Sequence, residues 1–402
     1  MLYAIKNKKT IKMKLKVILL LIVILPYINI SAQTEINVPK FIQLPKDSIQ
    51  SGELISTLNK FLISTQETNN DNIYIYPNDK VETYILVDEF KNIEKSRGFK
   101  NEHFYKPYLT NVIKLDSNKY LLQISHIGVS DSIPYLRSEF KLIAHKTGKT
   151  FLFSSPLKEN TKNWKTKTID NCTFYFKDTL NIDNANSYVK LSNVFDEKLN
   201  SKNNKTKLYC AKNRTELLKL IGVDYKLDYN GRTSGVFSAL NGKEQLIVLG
   251  NNNETFDNFD PHDLWHDRLS LVISRRKVNK PVDEGCSYLY GGSWGMSWST
   301  IFKRFMEKVA NNKDIDWTYY KENKTNFGKS QAEHLMVDYV VNALIIRKIE
   351  KEKGFSGVWE LLNCGKFEKG NENYYNALNQ IIGISKNNYN KEVWKLIKKE
   401  NK

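Results

Sequence analysis

Apolar residues change their period twice along the chain, and each change predicts a different kind of element. Between residues 48 and 66, Ile49, Leu54, Leu58, Phe61 and Leu62 recur on a helical period. From about residue 104 to 176 the pattern alternates and is rich in β-branched and aromatic residues. It predicts strands over 108–115, 120–127, 135–144, 150–154 and 172–176, with turns at Asp116-Ser117-Asn118 and Thr147-Gly148. Past residue 180 the spacing predicts a helix over 185–199, a short strand over 207–211 and a helix over 215–221 closed by Gly222. Strands over 233–239 and 244–249, joined by Asn241-Gly242, read as a hairpin, and the edge of such a hairpin is able to pair with an extended peptide.

The rest reads as helical. One helix covers 297–310. Another starts at Ser330, where Glu333 completes a capping box, runs through Met336, Val340, Leu344 and Ile345 to Lys353, and stops at Gly354. Shorter helices follow at 357–362, 374–382 and 391–399, and no internal repeat is visible. The fold class is therefore α+β. A module of one helix and an antiparallel sheet spans 47–179, and a mainly helical domain with a small sheet spans 180–402. The first module resembles the cone-shaped fold of nuclear transport factor 2 relatives.

Charge changes this picture mainly at the N-terminus. Lys14 and Lys16 precede an apolar run over 17–26, and Ser31-Ala32-Gln33 offers small residues for cleavage, so 1–32 reads as a secretory signal peptide and 33–46 as a linker. The run falls short of the roughly 20 residues a membrane span needs. A secreted or periplasmic protein with no stable span after cleavage is the expectation. The segment holds six lysines and no acids, so its removal lowers the formal charge from +17 to +11. The remaining lysines are scattered, and Arg275-Arg276-Lys277 is too short a run for a nucleic-acid face. Cys172, Cys210, Cys286 and Cys364 form no Cys-x-x-Cys pair, and an oxidising compartment allows them up to two disulfides in any of three connectivities.

The candidate chemistry is concentrated in His262-Asp263-Leu264-Trp265-His266. Asp260-Pro261 is a helix-start signal, so both histidines fall in the first two turns and on one face, where their imidazoles can converge on one cation. Leu269 and Ile273 continue that face toward a core. Glu284, eighteen residues after His266, can close a three-ligand His2Glu site of the catalytic zinc type, which leaves a fourth position open for water. Asp267, Asp283 and Asp257 are candidate partners for the free ring nitrogens.

Glu284-Gly285-Cys286-Ser287-Tyr288 extends the argument. Together with the histidine helix, this layout resembles the gluzincins, the zinc peptidases that include thermolysin-like enzymes and related aminopeptidases, and especially their peptidase MA-like branch. In that family a His-Glu-x-x-His helix is followed by a second helix carrying Glu-Gly-x-Ala-x-Tyr. Here serine replaces alanine, the tyrosine comes one place early, and Asp263 replaces the glutamate. The resemblance covers about 182–353. It implies a zincin-like fold, Zn2+ held by His262, His266 and Glu284, Asp263 as general base, and a peptide or protein substrate cleaved by metal-activated water.

Asp263 is shorter than glutamate by one methylene, roughly 1.5 Å, and misplacement of that order costs about a hundredfold in rate. The competing expectation is a noncatalytic member that keeps the fold and the zinc as a binding module. His334 and Tyr339, on the capped helix, are the candidate oxyanion donors, and Tyr288 is a candidate for the cleft wall. Trp294, Trp298, Phe302 and Phe305 read as core.

Overall fold

The computed structural model describes residues 35–312, 314–330 and 333–401, and the expected signal peptide at 1–32 lies outside them. Helix α1 (Ser48–Ser64) starts where the Asp47 carboxylate accepts the amides of Ile49 and Gln50, and it buries Leu54, Leu58, Phe61 and Leu62. Ile49, assigned to the same stripe, is exposed in the first turn. The apolar pattern gives no sign of α2 (Lys80–Phe90). This helix is buried on nearly every side, Glu82 and Glu89 included, so it lacks the polar stripe that marks a surface helix.

Strands β1 (Lys106–Lys114), β2 (Lys119–Ser130), β3 (Ile133–Thr147) and β4 (Thr150–Ser154) form the predicted antiparallel sheet. After a single turn of helix, α3 (Leu157–Asn160), come β5 (Lys165–Ile169), β6 (Cys172–Phe176), α4 (Ile182–Lys198), β7 (Lys205–Cys210), α5 (Arg214–Ile221), β8 (Val223–Lys226), β9 (Gly235–Asn241) and β10 (Glu244–Gly250). A second sheet runs β5-β6-β7-β10-β9. Its β6, β7 and β10 are parallel, and β5 and β9 flank them in antiparallel pairing.

The strand expected over 172–176 therefore forms, but in the second sheet rather than at the end of the first. Alternation specifies a strand and its two faces, not its partner. Strand β8 crosses the other way and pairs with β3. The chain thus passes between the two sheets on both sides of residue 179, the boundary expected between modules.

The second sheet is a wall between two cores. On β7 and β10 the side chains of Tyr209, Leu246 and Val248 pack with α1, α2 and the first sheet, whereas those of Leu208, Cys210 and Ile247 pack with the C-terminal helices. Helix α2 contacts β4 of one sheet and β9 and β10 of the other. Its buried Glu82 receives Lys207 of β7 at 2.8 Å.

The C-terminal part is helical as expected: α6 (Pro261–Ser270), α7 (Lys280–Tyr290), α8 (Trp298–Lys308), α9 (Trp317–Glu322), α10 (Val337–Leu362), α11 (Glu372–Ile382) and α12 (Tyr389–Glu400). The helix expected from Ser330 begins only at Val337. The Ser330 hydroxyl does accept the Glu333 amide at 3.3 Å, but the Glu333 carboxylate turns to Arg304, and Met336 bridges to Asn326 before the helix starts. A local cap cannot start a helix when its carboxylate has a stronger distant partner. Gly354 interrupts α10 with φ 68° and ψ −174°, a conformation suited to glycine. All four cysteines are unpaired. Among the described residues no helix is long and apolar enough to cross a membrane.

His126 of β2 is fully buried against Phe90 and Phe140, with Nδ1 3.0 Å from the Ser138 hydroxyl. Burial, helped by Arg137 and Lys226, pulls its pKa from 6.5 to about 3. The folded state therefore keeps His126 neutral where the unfolded chain takes a proton. Stability is unaffected above pH 6.5 and falls as the pH drops from there toward about 3. Between pH 7.5 and pH 5 this one group should remove about 2 kcal/mol. Urea unfolding at the two pH values should show the loss in the native protein and a correspondingly smaller loss in His126→Phe.

Candidate metal centre

Helix α6 begins as its sequence dictates. The Asp260 carboxylate accepts the His262 amide at 2.9 Å, and Pro261 occupies the first turn, where no amide donor is needed. Arg268, two residues past His266, fixes this helix to the sheet. Its guanidinium makes a two-pronged pair with Asp196 of α4 and reaches Thr206 of β7 at 3.0 Å and Gln245 of β10 at 3.3 Å, all in the interior. Removing one partner of such a pair costs about 3–5 kcal/mol, so the anchor is strong.

Helix α7 starts at Lys280-Pro281, with the proline in the first turn, where no amide donor is needed. Two glycines let it come close to its neighbours. A Cβ on Gly285 would stand 2.7 Å from Asn342 Cβ of α10. One on Gly291 would stand 2.5 Å from the Pro261 backbone, at the start of the histidine helix. Side chains larger than hydrogen would push α7 away from both helices.

This packing brings three donor atoms together. His262 Nε2 and His266 Nε2 are 3.2 Å apart, and Glu284 Oε2 lies 3.4 Å from the first and 3.6 Å from the second. A tetrahedral ion with bonds of 2.0–2.1 Å separates its ligand atoms by about 3.3 Å. The three residues identified from spacing alone therefore form a group that could hold a metal ion.

The ring nitrogens on the far side settle the tautomers. His262 Nδ1 donates to the Gly292 carbonyl at 2.8 Å, and His266 Nδ1 donates to Asp283 Oδ1 at 2.9 Å. Each neutral ring then turns a lone pair on Nε2 toward the other and toward Glu284. Burial pulls the His266 imidazolium down, but the bonds to Asp283 and Glu284 outweigh it and place its pKa at about 9. Burial likewise pushes the Glu284 carboxyl up, and the two histidines overcome it and hold the group well below the usual carboxylate range. At neutral pH a proton thus separates the donors, and a bound cation would displace it.

Of the three aspartates considered as ring partners, Asp283 takes the role. It is 1 % exposed and accepts from His266, from Trp265 Nε1 at 3.1 Å and from Arg275 Nε at 2.9 Å. Asp257 binds Asn181 and Thr255 instead. Asp267 lies along a cavity of about 280 Å3 that is also bordered by His266, Asp263, Arg275 and Val236 of the edge strand β9. Burial, with Asp263 next, raises the Asp267 carboxyl to about 6. Asp263 itself is exposed on this cavity.

The surrounding candidates divide clearly. Tyr288 is buried with its ring centre 5.8 Å from that of His262, and its hydroxyl donates to the His334 carbonyl. Tyr339 packs edge-on against Tyr288, and burial, then Glu284, raises its hydroxyl above the ordinary tyrosine value. His334 is exposed in the segment before α10, not on the helix, and meets Tyr288 through its backbone alone. Trp298, Phe302 and Phe305 belong to the core as expected, whereas Trp294 is largely exposed.

Two residues escaped the sequence reading. Arg275 spans Asp283 and Glu284 Oε1, the latter at 3.4 Å, which leaves Oε2 for the histidines. Its only sequence signal was a short basic run. The Ser287 hydroxyl, 3.4 Å from His262 Nε2, is the serine by which the motif departs from alanine.

Because Asp283 fixes the His266 ring and balances Arg275, Asp283→Asn should weaken any metal binding at this group by about 10–100-fold. Competition against a chromophoric chelator measures this, with Asp257→Asn as the control expected to match the native protein. No known protein family, curated protein or solved structure matches the chain, so its role rests on the geometry of these residues.

Proposed function

We propose that this protein is a secreted or periplasmic zinc peptidase of gluzincin type, with a zincin-like arrangement over about 182–353 and an N-terminal module, similar to nuclear transport factor 2 relatives, that serves docking or packing. The observation that carries the reading is the triangle of His262 Nε2, His266 Nε2 and Glu284 Oε2 at 3.2, 3.4 and 3.6 Å. Two imidazoles and a carboxylate at tetrahedral spacing suit Zn2+ better than the oxygen-seeking ions. A strand, helix and hairpin before the histidine helix, and long helices after it, suit the zincin-like reading.

Bound there, zinc supplies Lewis acidity and lowers the pKa of a water molecule. The chain's own residues do the rest. Asp263, on the cavity beside His266, takes the water's proton and returns it to the leaving amine. The edge strand β9 is unpaired on its outer side and borders the same cavity at Val236, so a peptide added to that edge lies along Asp263. Tyr339, protonated at neutral pH, is the oxyanion donor. The short side chain of Asp263 favours one second reading, a zinc-holding binding module that does not cleave.

A diverse peptide library, mapped by mass spectrometry, separates the two. The enzyme reading expects cleavage by the native protein and a loss of about 100-fold or more in kcat/KM for Asp263→Asn at unchanged zinc content. Cleavage by Asp263→Glu alone would establish the binding module. Full zinc occupancy with no cleavage by either protein would end the enzyme reading.

A further inference from the structure

The cavity of about 280 Å3 beside the metal centre has apolar walls and an acidic side. Its volume is about nine times a water molecule's share of the liquid, room for a whole side chain. Tyr188 of α4, Leu208 of β7, Ile247 of β10, Phe256 and Leu264 of α6 form the apolar walls. Three carboxylates, Asp260, Asp263 and Asp267, border the same space, against one cation, Arg275.

The three aspartates recur at intervals of three and four residues, so the start of α6 turns them to one side. Arg275 does not neutralise them, because its Nε is bound to Asp283 at 2.9 Å and its outer nitrogen lies 3.4 Å from Glu284. Asp260 is engaged as the helix cap, through the His262 amide. Asp263 is exposed on the cavity and Asp267 is partly buried along it. Among the described residues, neither carboxylate has a hydrogen-bond donor or an ion-pair partner. Tyr188 adds another oxygen in that state. The residue is 5 % exposed, and its hydroxyl is buried with no hydrogen-bond partner.

Oxygens without donors beside an apolar wall call for a cationic donor. The three aspartates do not converge as metal ligands do. Among the described residues, the group close enough to share a metal ion is His262, His266 and Glu284. A long side chain with an apolar stem and a charged head matches both the walls and the acidic side. A peptide paired with the free edge of β9 would send alternate side chains toward this space, since Val236 of that strand borders it.

We propose that this cavity takes the side chain of a lysine or arginine, with its stem on the apolar walls and its head at Asp267, and that the protein selects peptides carrying such a residue beside the bond presented to the metal centre. The selection half rests on the peptidase reading above, whereas the binding half does not. Asp267 is then the specificity residue, one helical turn from Asp263, which is left to the water.

Propylguanidinium and its uncharged isostere propylurea are the direct probes, titrated by calorimetry into the full-length, zinc-loaded protein. The guanidinium keeps its proton and so does not compete for the metal. It should bind at least about tenfold more tightly than propylurea. Asp267→Asn should abolish the difference, and Asp257→Asn, outside the cavity, should preserve it. Equal binding of the two probes to the native protein, or a preference that survives in Asp267→Asn, would overturn the proposal; should Asp267→Asn not fold, the comparison in the native protein decides. In cleavage assays, peptides with arginine are compared with citrulline versions, and peptides with lysine with norleucine versions. The charged member of each pair should have a kcat/KM higher by about tenfold or more, and the ratio should fall toward one in Asp267→Asn. Binding of propylguanidinium with no cleavage of any peptide would remove the peptidase reading and leave the cationic site. Cleavage with no preference in either pair would remove the cavity's role in selection and leave the peptidase reading.

Discussion

Three electron-pair donors within 3.6 Å of one another repel unless something positive lies among them. His262, His266 and Glu284 are held in that arrangement by bonds made on their far sides, and those bonds leave none of the three free to turn away. The Gly292 carbonyl and the Asp283 carboxylate fix the rings, and Arg275 holds the other oxygen of Glu284. Much of the C-terminal half serves to maintain this crowding. Without a cation it requires protons, which is why His266 is raised to about 9 and Glu284 is held low.

The crowding is inherited from packing. Arg268 ties the histidine helix to α4, β7 and β10, so the helix moves only with the second sheet. Gly285 and Gly291 allow α7 to lie against α10 and against the start of α6, which sets the depth of Glu284 relative to the two rings. The same sheet that carries the Arg268 partners ends in β9, whose free edge borders the cavity beside Asp263. One rigid wall therefore positions both the donor atoms and the strand beside them.

The cluster of His262, His266 and Glu284 was legible because its signals are local. Asp260-Pro261 starts a helix in any context, the four-residue histidine spacing fixes a shared face, and Glu284 follows in a helix with its own start. What the sequence hid depends on distant partners. Gly291 lies against Pro261 and the Gly292 carbonyl accepts from His262, each some thirty positions away in the chain. Arg275 looked like surface charge. Helix α2 escaped because burial between two sheets erased its polar face, and 172–176 joined the other sheet because alternation carries no information about which strand lies alongside. The capping box at Ser330 failed for a related reason, since Arg304 claimed Glu333.

X-ray absorption at the zinc edge of the purified protein tests the central claim most directly. The account predicts one zinc per chain with a first shell of nitrogen and oxygen at about 2.0–2.1 Å, the multiple-scattering pattern of two imidazoles and no sulfur. That pattern should disappear in His262→Ala. A shell containing sulfur, a different number of imidazoles, or zinc retained unchanged in His262→Ala would contradict it.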